Sequence, residues 1–518
     1  MKEYGADVVI IGSGITGALT AQWLSERSDA SILLLEAGRE IPVRERFSHR
    51  QRYLDYGEWP WPGTEIGNLI QEGKEAWPPH MLVGGMATHW GAQSPRYRPE
   101  CFQLKTLYGV SEDWPITYED LEPWYCEAEY RIGVSGDSLA RDSGPRSRPY
   151  PMPAMPLNYN LARIQSWAAS AGVQTFPRPF AINSVPYDGR PQCQRFDTCR
   201  VCPIDAKYSP DFTVRQLVQK KKIELIQHLM VNRLETTPSG DRIVRAHAIE
   251  ALEPHSPATI SGKIFVLAGG TVWAPYLLLL SANEKFPEGL ANRSGMVGRY
   301  IVGHHPYLQT FRIKPKLVPE IHLRAALTSE QFIAPSGKKP LVRWDLALSA
   351  GSPGPQLAGE FLGAKILRDW RKRTQHGTVN ALSFREAIGH SESRVTLSQH
   401  RTTAWGDPVP AVNLLDHGLV GGDAVDRSLF EMGERLANAG LGRASEPLAT
   451  RTFDHRSGGC RMGRDPNTSV CDTTGRCHDH ENLFIAGSPL CLTGGVTNST
   501  LTFSALALRT AEAIRKQM

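Results

Sequence analysis

The stretch VVIIGSGITG at residues 8–17, followed by ILLLEAG at 32–38, decides the fold. Ala6 to Ile11 is a short apolar run, broken only by Asp7 and stopping at Gly12, the pattern of a strand whose later part is buried on both faces. Thr16 to Leu24 has helical character, and Ser31 to Leu35 is a second apolar run closed by Glu36 and Gly38. Strand, turn, helix and strand in that order make a βαβ unit. Gly12, Gly14 and Gly17 spell G-x-G-x-x-G at its turn. Gly12 permits the tight turn, Gly14 lets a pyrophosphate approach the backbone, and Gly17 lets helix and strand pack closely. The helix start adds N–H groups and the positive end of a dipole. Glu36, 19 residues past Gly17, stands where ribose hydroxyls are expected. An acid there disfavours a 2′-phosphate, so FAD or NAD is expected and NADP is not.

At 518 residues the chain exceeds what one hydrophobic core usually supports, which predicts two lobes. A composition of 41% hydrophobic and 21% charged residues is that of an ordinary globular protein, and a net charge of +5 gives no reason to expect a nucleic-acid partner. The densest apolar patch, Leu277 to Leu280, falls far short of the roughly 20 residues of a membrane span. The N-terminus enters a strand within a few residues, leaving no room for a signal peptide. The cytoplasm is then the default location. The alternative is a periplasmic, exported or membrane-associated protein carried by a partner subunit.

Residues 40–130 are rich in Trp, Pro and Gly and read as long loops and short helices over the scaffold. From 143 to 210 the chain is again Pro-rich and holds a cysteine cluster. Lys263 to Ala268 reads as another buried strand, with a helix start at Pro275 to Leu280. Beyond 311 the texture changes: Leu341 to Leu348 and Arg394 to Leu397 alternate or are β-branched, and turns such as Gly406-Asp407-Pro408 separate such segments. Val425, Leu429, Met432 and Leu436 recur at helical spacing, predicting one amphipathic helix on a sheet. Asn482 to Ala486 returns to the parallel sheet, and residues 500–516 form a last helix. The expected fold class is α/β with an α+β second lobe. A Rossmann-like domain is assembled from the discontinuous segments 1–140, 205–310 and 451–518. A substrate domain on an antiparallel β-sheet spans 311–450, and the cysteine-containing loops of 141–204 lie at the junction.

Val83-Gly84-Gly85-Met86-Ala87-Thr88-His89-Trp90-Gly91 places small residues beside a His and a Trp. Such a loop can press its backbone on a flat ring, or be a tight turn with a packed Trp. With this loop, the N-terminal Gly motif, Ala268-Gly269-Gly270 and the block His455…Asn482-Leu483-Phe484…Asn498-Ser499-Thr500-Leu501-Thr502, the sequence resembles the glucose–methanol–choline (GMC) oxidoreductases nearly end to end. These are flavoproteins. The loop at 84–90 is similar to pyranose oxidases, in which the matching His is joined covalently to the flavin. Pro186-Tyr187-Asp188-Gly189-Arg190-Pro191 and Cys202-Pro203-Ile204 are similar to bacterial FAD sugar dehydrogenases that carry an iron–sulfur cluster. The family usually has an acid before Gly487-Ser488, where this chain has Ala486.

The resemblance implies FAD held by Gly12, Ser13, Gly14, Thr16, Gly17, Glu36 and Ala37, and by Gly84, Gly85, Thr88, His89, Trp90 and Gly91. It adds Val231, Ala268, Gly487, Asn498 and Thr500. His89 is either a covalent anchor for the flavin or a packing and hydrogen-bonding residue. Oxidising an alcohol requires a base for the hydroxyl proton while carbon delivers hydride to the flavin, and a neutral imidazole suits that task. By resemblance His455 is that base, and Asn498, 43 residues on, holds the substrate oxygen. At His304 and His305, after the glycines at 298 and 303, the resemblance implies polar residues near the cofactor or lobe junction; otherwise the two read as hydrogen-bonding residues at a surface or junction.

Cys193, Cys199 and Cys202 give C-x5-C-x2-C. Three thiolates are one short of a closed zinc site but suit a [3Fe–4S] cluster, as the resemblance implies; otherwise they are packed thiols. Cys471 and Cys477 read as structural. With a cluster, electrons leave for a cytochrome or other acceptor, with a small subunit as a further partner, and the chain is a sugar or glycoside dehydrogenase. Trp59, Trp61, Trp77 and Trp114 fit either carbohydrate stacking or the core. The alternatives are an oxidase of the same fold using oxygen and, from another class, a non-catalytic flavin-binding subunit or a lyase.

Overall fold

In the protein's structure, a computed structural model, the described residues are 2–42, 44–46, 48, 81–140, 144–194, 201–251, 253–313, 326–333, 346–350, 377–449 and 454–518. The βαβ unit forms as read. β1 (Lys2–Ile11) and β2 (Ile32–Leu35) run parallel, Val8 facing Ile32 and Ile11 facing Leu35, joined by the helix Ile15–Arg27. The buried end of β1 and all of β2 are apolar because both faces of the sheet are covered.

Around this unit the first sheet adds β6 (Glu224–Ile226), β7 (Leu229–Thr236), β8 (Ile243–Glu250), β9 (Glu253–Leu267) and β19 (Leu483–Ile485). β6, β2, β1, β9 and β19 are parallel neighbours in that order, and β8 and β7 extend antiparallel from the earlier part of β9. The last helix, Thr500–Gln517, belongs to the same core; Leu501, Ala505, Leu508 and Ile514 are buried with Leu19 and Leu24 of the first helix.

The second sheet is antiparallel. It comprises β5 (Phe176–Pro177), β10 (Val302–Ile313), β11 (Leu327–Ser329), β12 (Leu346–Ala350), β13 (Gly377–Glu386), β16 (Arg443–Ala444), β17 (Leu448–Ala449) and β18 (Asp454–Ser457). Its order is β16-β10-β13-β12-β11-β5, with β17 and β18 also pairing β10. The expected amphipathic helix is Asp423–Leu436, whose Val425, Leu429, Met432 and Leu436 share a core with Phe311, Ile313, Leu348 and Val379. β14 (Arg394–Thr402) and β15 (Pro408–Asn413) form a separate hairpin turned at Gly406, and a small parallel pair joins β3 (Ser135–Gly136) to β4 (Met152–Pro153).

The second sheet draws on residues outside 311–450. β10 starts at Val302, ahead of the expected boundary at 311, its Gly-His-His-Pro stretch lacking the apolar alternation by which strands are read, and β5 and β18 come from 176–177 and 454–457. The segment 141–204 is more than loop. Asn158 caps a helix, Tyr159–Ser170, by accepting from the Leu161 N–H at 2.9 Å, and Leu161, Ile164 and Ala168 enter the second core. Likewise Tyr118–Ile132, opened by a Thr117–Asp120 capping box, is a 15-residue helix that reaches into the segment read as loops and short helices. Among the described residues no helix is long and apolar enough to cross a membrane.

Candidate active site

The Gly turn is built by contact at the ångström scale. Gly12 has φ +103°, and a Cβ there would lie 2.9 Å from the Ala268 carbonyl. A Cβ on Gly17 would lie 1.9 Å from the Gly12 oxygen, while one on Gly14 would meet nothing within 4 Å. The motif thus divides into a turn, an open approach and a packing contact. Glu36, at the end of β2, accepts through Oε2 from the Ser13 N–H (3.0 Å) and hydroxyl (2.6 Å), and through Oε1 from the Gly38 N–H (3.0 Å). Burial raises its carboxyl pKa, and these donors oppose the shift. Ser13 Oγ in turn accepts from the Gly84 N–H at 3.1 Å, which brings the Gly84-Gly85 loop onto the turn. Gly487 completes it, because a Cβ there would strike Thr16 Cγ2 at 2.2 Å. Thr500 opens the last helix. Val231 is buried in the β7–β8 hairpin opposite Ala248, two residues beyond Leu229, whose N–H donates to the Glu36 carbonyl at 3.0 Å. Ala37 is partly buried with Met81 and Met230.

From Gly85 to Thr88 the loop forms a short 3-10 helix. Thr88 Oγ1 donates to the Gly85 carbonyl at 2.9 Å and lies 3.0 Å from His89 Nδ1. Trp90 Nε1 donates to the Tyr208 carbonyl at 2.9 Å. The buried Lys207 ammonium donates to the Thr88 and Trp90 carbonyls at 2.9 and 3.2 Å, clasping the loop across His89 and ahead of Gly91. Lys207 N–H also approaches Cys202 Sγ at 3.5 Å. Cys193 is partly buried against the first core, and Cys199 lies outside the described residues.

His455 and Asn498 meet. Asn498 Nδ2 lies 2.9 Å from His455 Nε2. Where β18 pairs with β10 the register slips between Val302 and His304, and such an irregularity re-aims side chains. His455 sits within it at φ +49°, and its Nδ1 lies 2.7 Å from His304 Nε2. Phe384 on β13 packs against both rings, with centroids 4.2 and 5.2 Å away. Arg178, just after β5, donates through Nη2 to Asn498 Oδ1 (2.8 Å) and Thr497 Oγ1 (3.2 Å), and through Nη1 to Thr328 Oγ1 (2.9 Å).

The loop carrying Asn498 is pinned as well. Gly495 N–H donates to Glu386 Oε1 at 2.9 Å, and Tyr97 OH bonds the Gly494 carbonyl and Ser499 Oγ. A Cβ on Gly494 would lie 2.5 Å from the Gly303 oxygen, so only glycine lets this loop rest on β10.

His304 and His305 are fully buried, which corrects the surface alternative of the sequence reading. Burial, then His455 nearby, holds the His304 imidazole well below its usual pKa and therefore neutral. Arg178, Lys207 and Phe384 were missed altogether; no local pattern joins an arginine in a Pro-rich stretch to an asparagine 320 residues on. Trp114 is buried, donating to Thr493 Oγ1 at 2.9 Å, so its ring belongs to the core and not to a sugar platform. Trp59, Trp61 and Trp77 lie outside the described residues. Cys471 and Cys477 are buried thiols with sulfurs 3.7 Å apart.

The GMC oxidoreductase family model matches residues 389–507, which include His455 and Asn498. The chain is 32% identical to the fructose dehydrogenase large subunit of Gluconobacter japonicus, over 99% of this chain and 98% of that one. It is 30% identical to the 6'''-hydroxyparomomycin C oxidase of Streptomyces lividus, over 99% and 92%. The crystal structure of pyridoxine 4-oxidase from Mesorbium loti superposes with a TM-score of 0.64 across 98% of both chains, at 16% identity, and so shares the fold. With an identity of 32% sustained across the full length of a relative, this chain belongs to the GMC oxidoreductase family.

Proposed function

We propose that the chain binds FAD and oxidises a hydroxyl of a sugar or glycoside to a carbonyl, acting as a dehydrogenase. The observation that carries this reading is the 2.9 Å contact of Asn498 Nδ2 with His455 Nε2, a donor and a base within reach of one oxygen. Fit to the cofactor rests on the Gly turn, where the open approach at Gly14 suits a pyrophosphate and Glu36 suits ribose hydroxyls. When bound, FAD supplies the hydride acceptor. His455 Nε2 takes the hydroxyl proton. Asn498 Nδ2 donates to the substrate oxygen, holding it near attack distance. Phe384 packs against both imidazoles from the β13 side. In stopped flow, His455→Ala should retain FAD yet be reduced by sugar about 10²–10⁴-fold more slowly. Unchanged reduction would remove His455 from the mechanism.

The carbohydrate assignment is supported by an end-to-end relative that is by name a fructose dehydrogenase. A panel of sugars with a dye acceptor tests it. The second relative is by name an oxidase, which favours oxygen as the alternative acceptor. Oxygen uptake during turnover separates the two.

Two finer assignments belong to this proposal. With the Thr88 hydroxyl given to Gly85, His89 Nδ1 is the donor toward Thr88, and Nε2 keeps the lone pair that a covalent flavin link requires. Yellow colour that stays with acid-precipitated protein supports the link; colour in the supernatant overturns it. Cys193, Cys199 and Cys202 would hold an iron–sulfur cluster, a role suited to soft thiolates, delivering electrons to a partner subunit or cytochrome. The words "large subunit" in the name of the fructose dehydrogenase relative support such a partner. Iron near zero in anaerobically purified protein would exclude the cluster.

A further inference from the structure

We propose that Arg178 and His304 are positioning residues that lock His455 in one tautomer, its proton on Nδ1 and its lone pair on Nε2. The inference rests on the reading of His455 as the base and adds what makes it one. A neutral imidazole has two forms, and only the form with a bare Nε2 can take a proton at the atom facing Asn498.

The direction of each hydrogen bond follows from what each group can do. A guanidinium only donates, so the Asn498 oxygen must face Arg178 Nη2, 2.8 Å away. The Asn498 amide nitrogen therefore points at His455 Nε2, 2.9 Å away, and an amide N–H only donates. His455 Nε2 must then be the acceptor, which puts the proton on Nδ1. That N–H has His304 Nε2 at 2.7 Å, and a fully buried neutral His304 accepts it. One polarity runs from Arg178 through Asn498 and His455 to His304. Arg178 is held independently by Thr328 on β11, and the His304 ring by Phe384, so both ends are anchored in the second sheet. Each acts through the residue it contacts, Arg178 through Asn498 and His304 through His455.

Without the guanidinium the Asn498 amide can turn over and present its oxygen to Nε2, which selects the wrong tautomer. Loss of His304 removes the acceptor that favours a proton on Nδ1. Either change leaves the Gly turn, and hence FAD retention, untouched.

The test is ¹⁵N NMR of histidine-labelled holoenzyme, with the His455 ring assigned from the signals missing in His455→Ala. The expected wild-type spectrum shows a protonated Nδ1 and an unprotonated Nε2. Arg178→Met and His304→Leu should mix or reverse that signature and slow flavin reduction by about a hundredfold at unchanged FAD content, with kcat falling more than KM rises. Arg178→Lys and His304→Gln, which keep a donor and an acceptor, should restore most of both readouts. A wild-type His455 protonated on Nε2 overturns the proposal. So do Met and Leu variants that keep the wild-type signature and rate, or conservative variants that rescue nothing. Should His455→Ala reduce flavin normally while the wild-type signature is as stated, the base assignment falls and the tautomer lock stands; the two failures are distinct.

Discussion

The Gly turn and the His455 site are built over very different distances along the chain. Gly12, Ser13, Gly17 and Glu36 sit within one βαβ unit, and the contact of Ser13 with Glu36 spans 23 residues. The His455 ring meets partners 43 and 151 residues away, and Asn498 meets its arginine 320 residues away. The first site is contained in one piece of local secondary structure. The second exists only where β5, β10, β18 and the Gly494–Ser499 loop converge, so it depends on the second sheet being assembled. Damage to the first should therefore appear in folding and cofactor content, and damage to the second chiefly in chemistry.

The largest effect is expected inside the Gly turn, where two glycines of one motif should separate. Gly17→Ala drives a Cβ to 1.9 Å from a backbone oxygen that cannot rotate away, and should cost about 3 kcal/mol or more, lowering both the melting temperature and the yield of flavinated protein. Gly14→Ala meets nothing within 4 Å and should leave apoprotein stability within about 0.5 kcal/mol while weakening FAD retention. Equal melting temperatures for the two apoproteins would break the division of labour drawn from their contacts.

Asn498→Asp is the counterpart in the distant site. It preserves shape and strengthens the contact with Arg178, yet replaces a donor to His455 Nε2 by an acceptor, so a proton is drawn onto the atom that must stay bare. Flavin reduction should fall by about 10²–10⁴-fold with FAD content and melting temperature close to wild type. A variant that loses FAD instead would show that the two sites are not separable.

The same contrast explains what could be read in advance. The βαβ unit, the turn at Gly406 and the helix over Asp423–Leu436 each declare themselves through periodicity or turn chemistry within a short window. The meeting of His455 with Asn498 came from resemblance to a family, not from spacing. β10 hid its start because His304 and His305 are polar residues in a fully buried stretch, and burial of a polar residue is decided by partners the local sequence does not contain. Arg178 is the same case, its burial matched by Thr328, Thr497 and Asn498. The helix Tyr159–Ser170 was a different kind of miss, since Leu161, Ile164 and Ala168 do carry its signal but the surrounding prolines obscured it.

The smallest effect separates the sites by the sign of a pH slope. Burial and the neighbouring His455, His305 and Arg178 keep His304 neutral when folded, with its pKa far below the usual value. In the unfolded chain a histidine gains its proton near pH ~6.5. Below that pH the unfolded state binds the extra proton, so stability falls on acidification by about 1.4 kcal/mol per pH unit until the folded pKa is reached. The lowered pKa of buried His480 adds a second contribution of the same sign. Glu36 runs the other way. Its folded pKa is raised by burial, so above the unfolded value the unfolded state loses its proton first, and stability falls as pH rises toward the folded pKa. Melting temperatures measured from pH 5 to 6.5 should accordingly decline less steeply with acid in His304→Gln than in wild type, and more steeply in Glu36→Gln. The His480 contribution is common to all three proteins and cancels in the comparison. An unchanged slope in His304→Gln would mean that the imidazole protonates in the folded protein. It could not then be the neutral acceptor that fixes His455, and the long-range site would lose the residue that most distinguishes it from the turn.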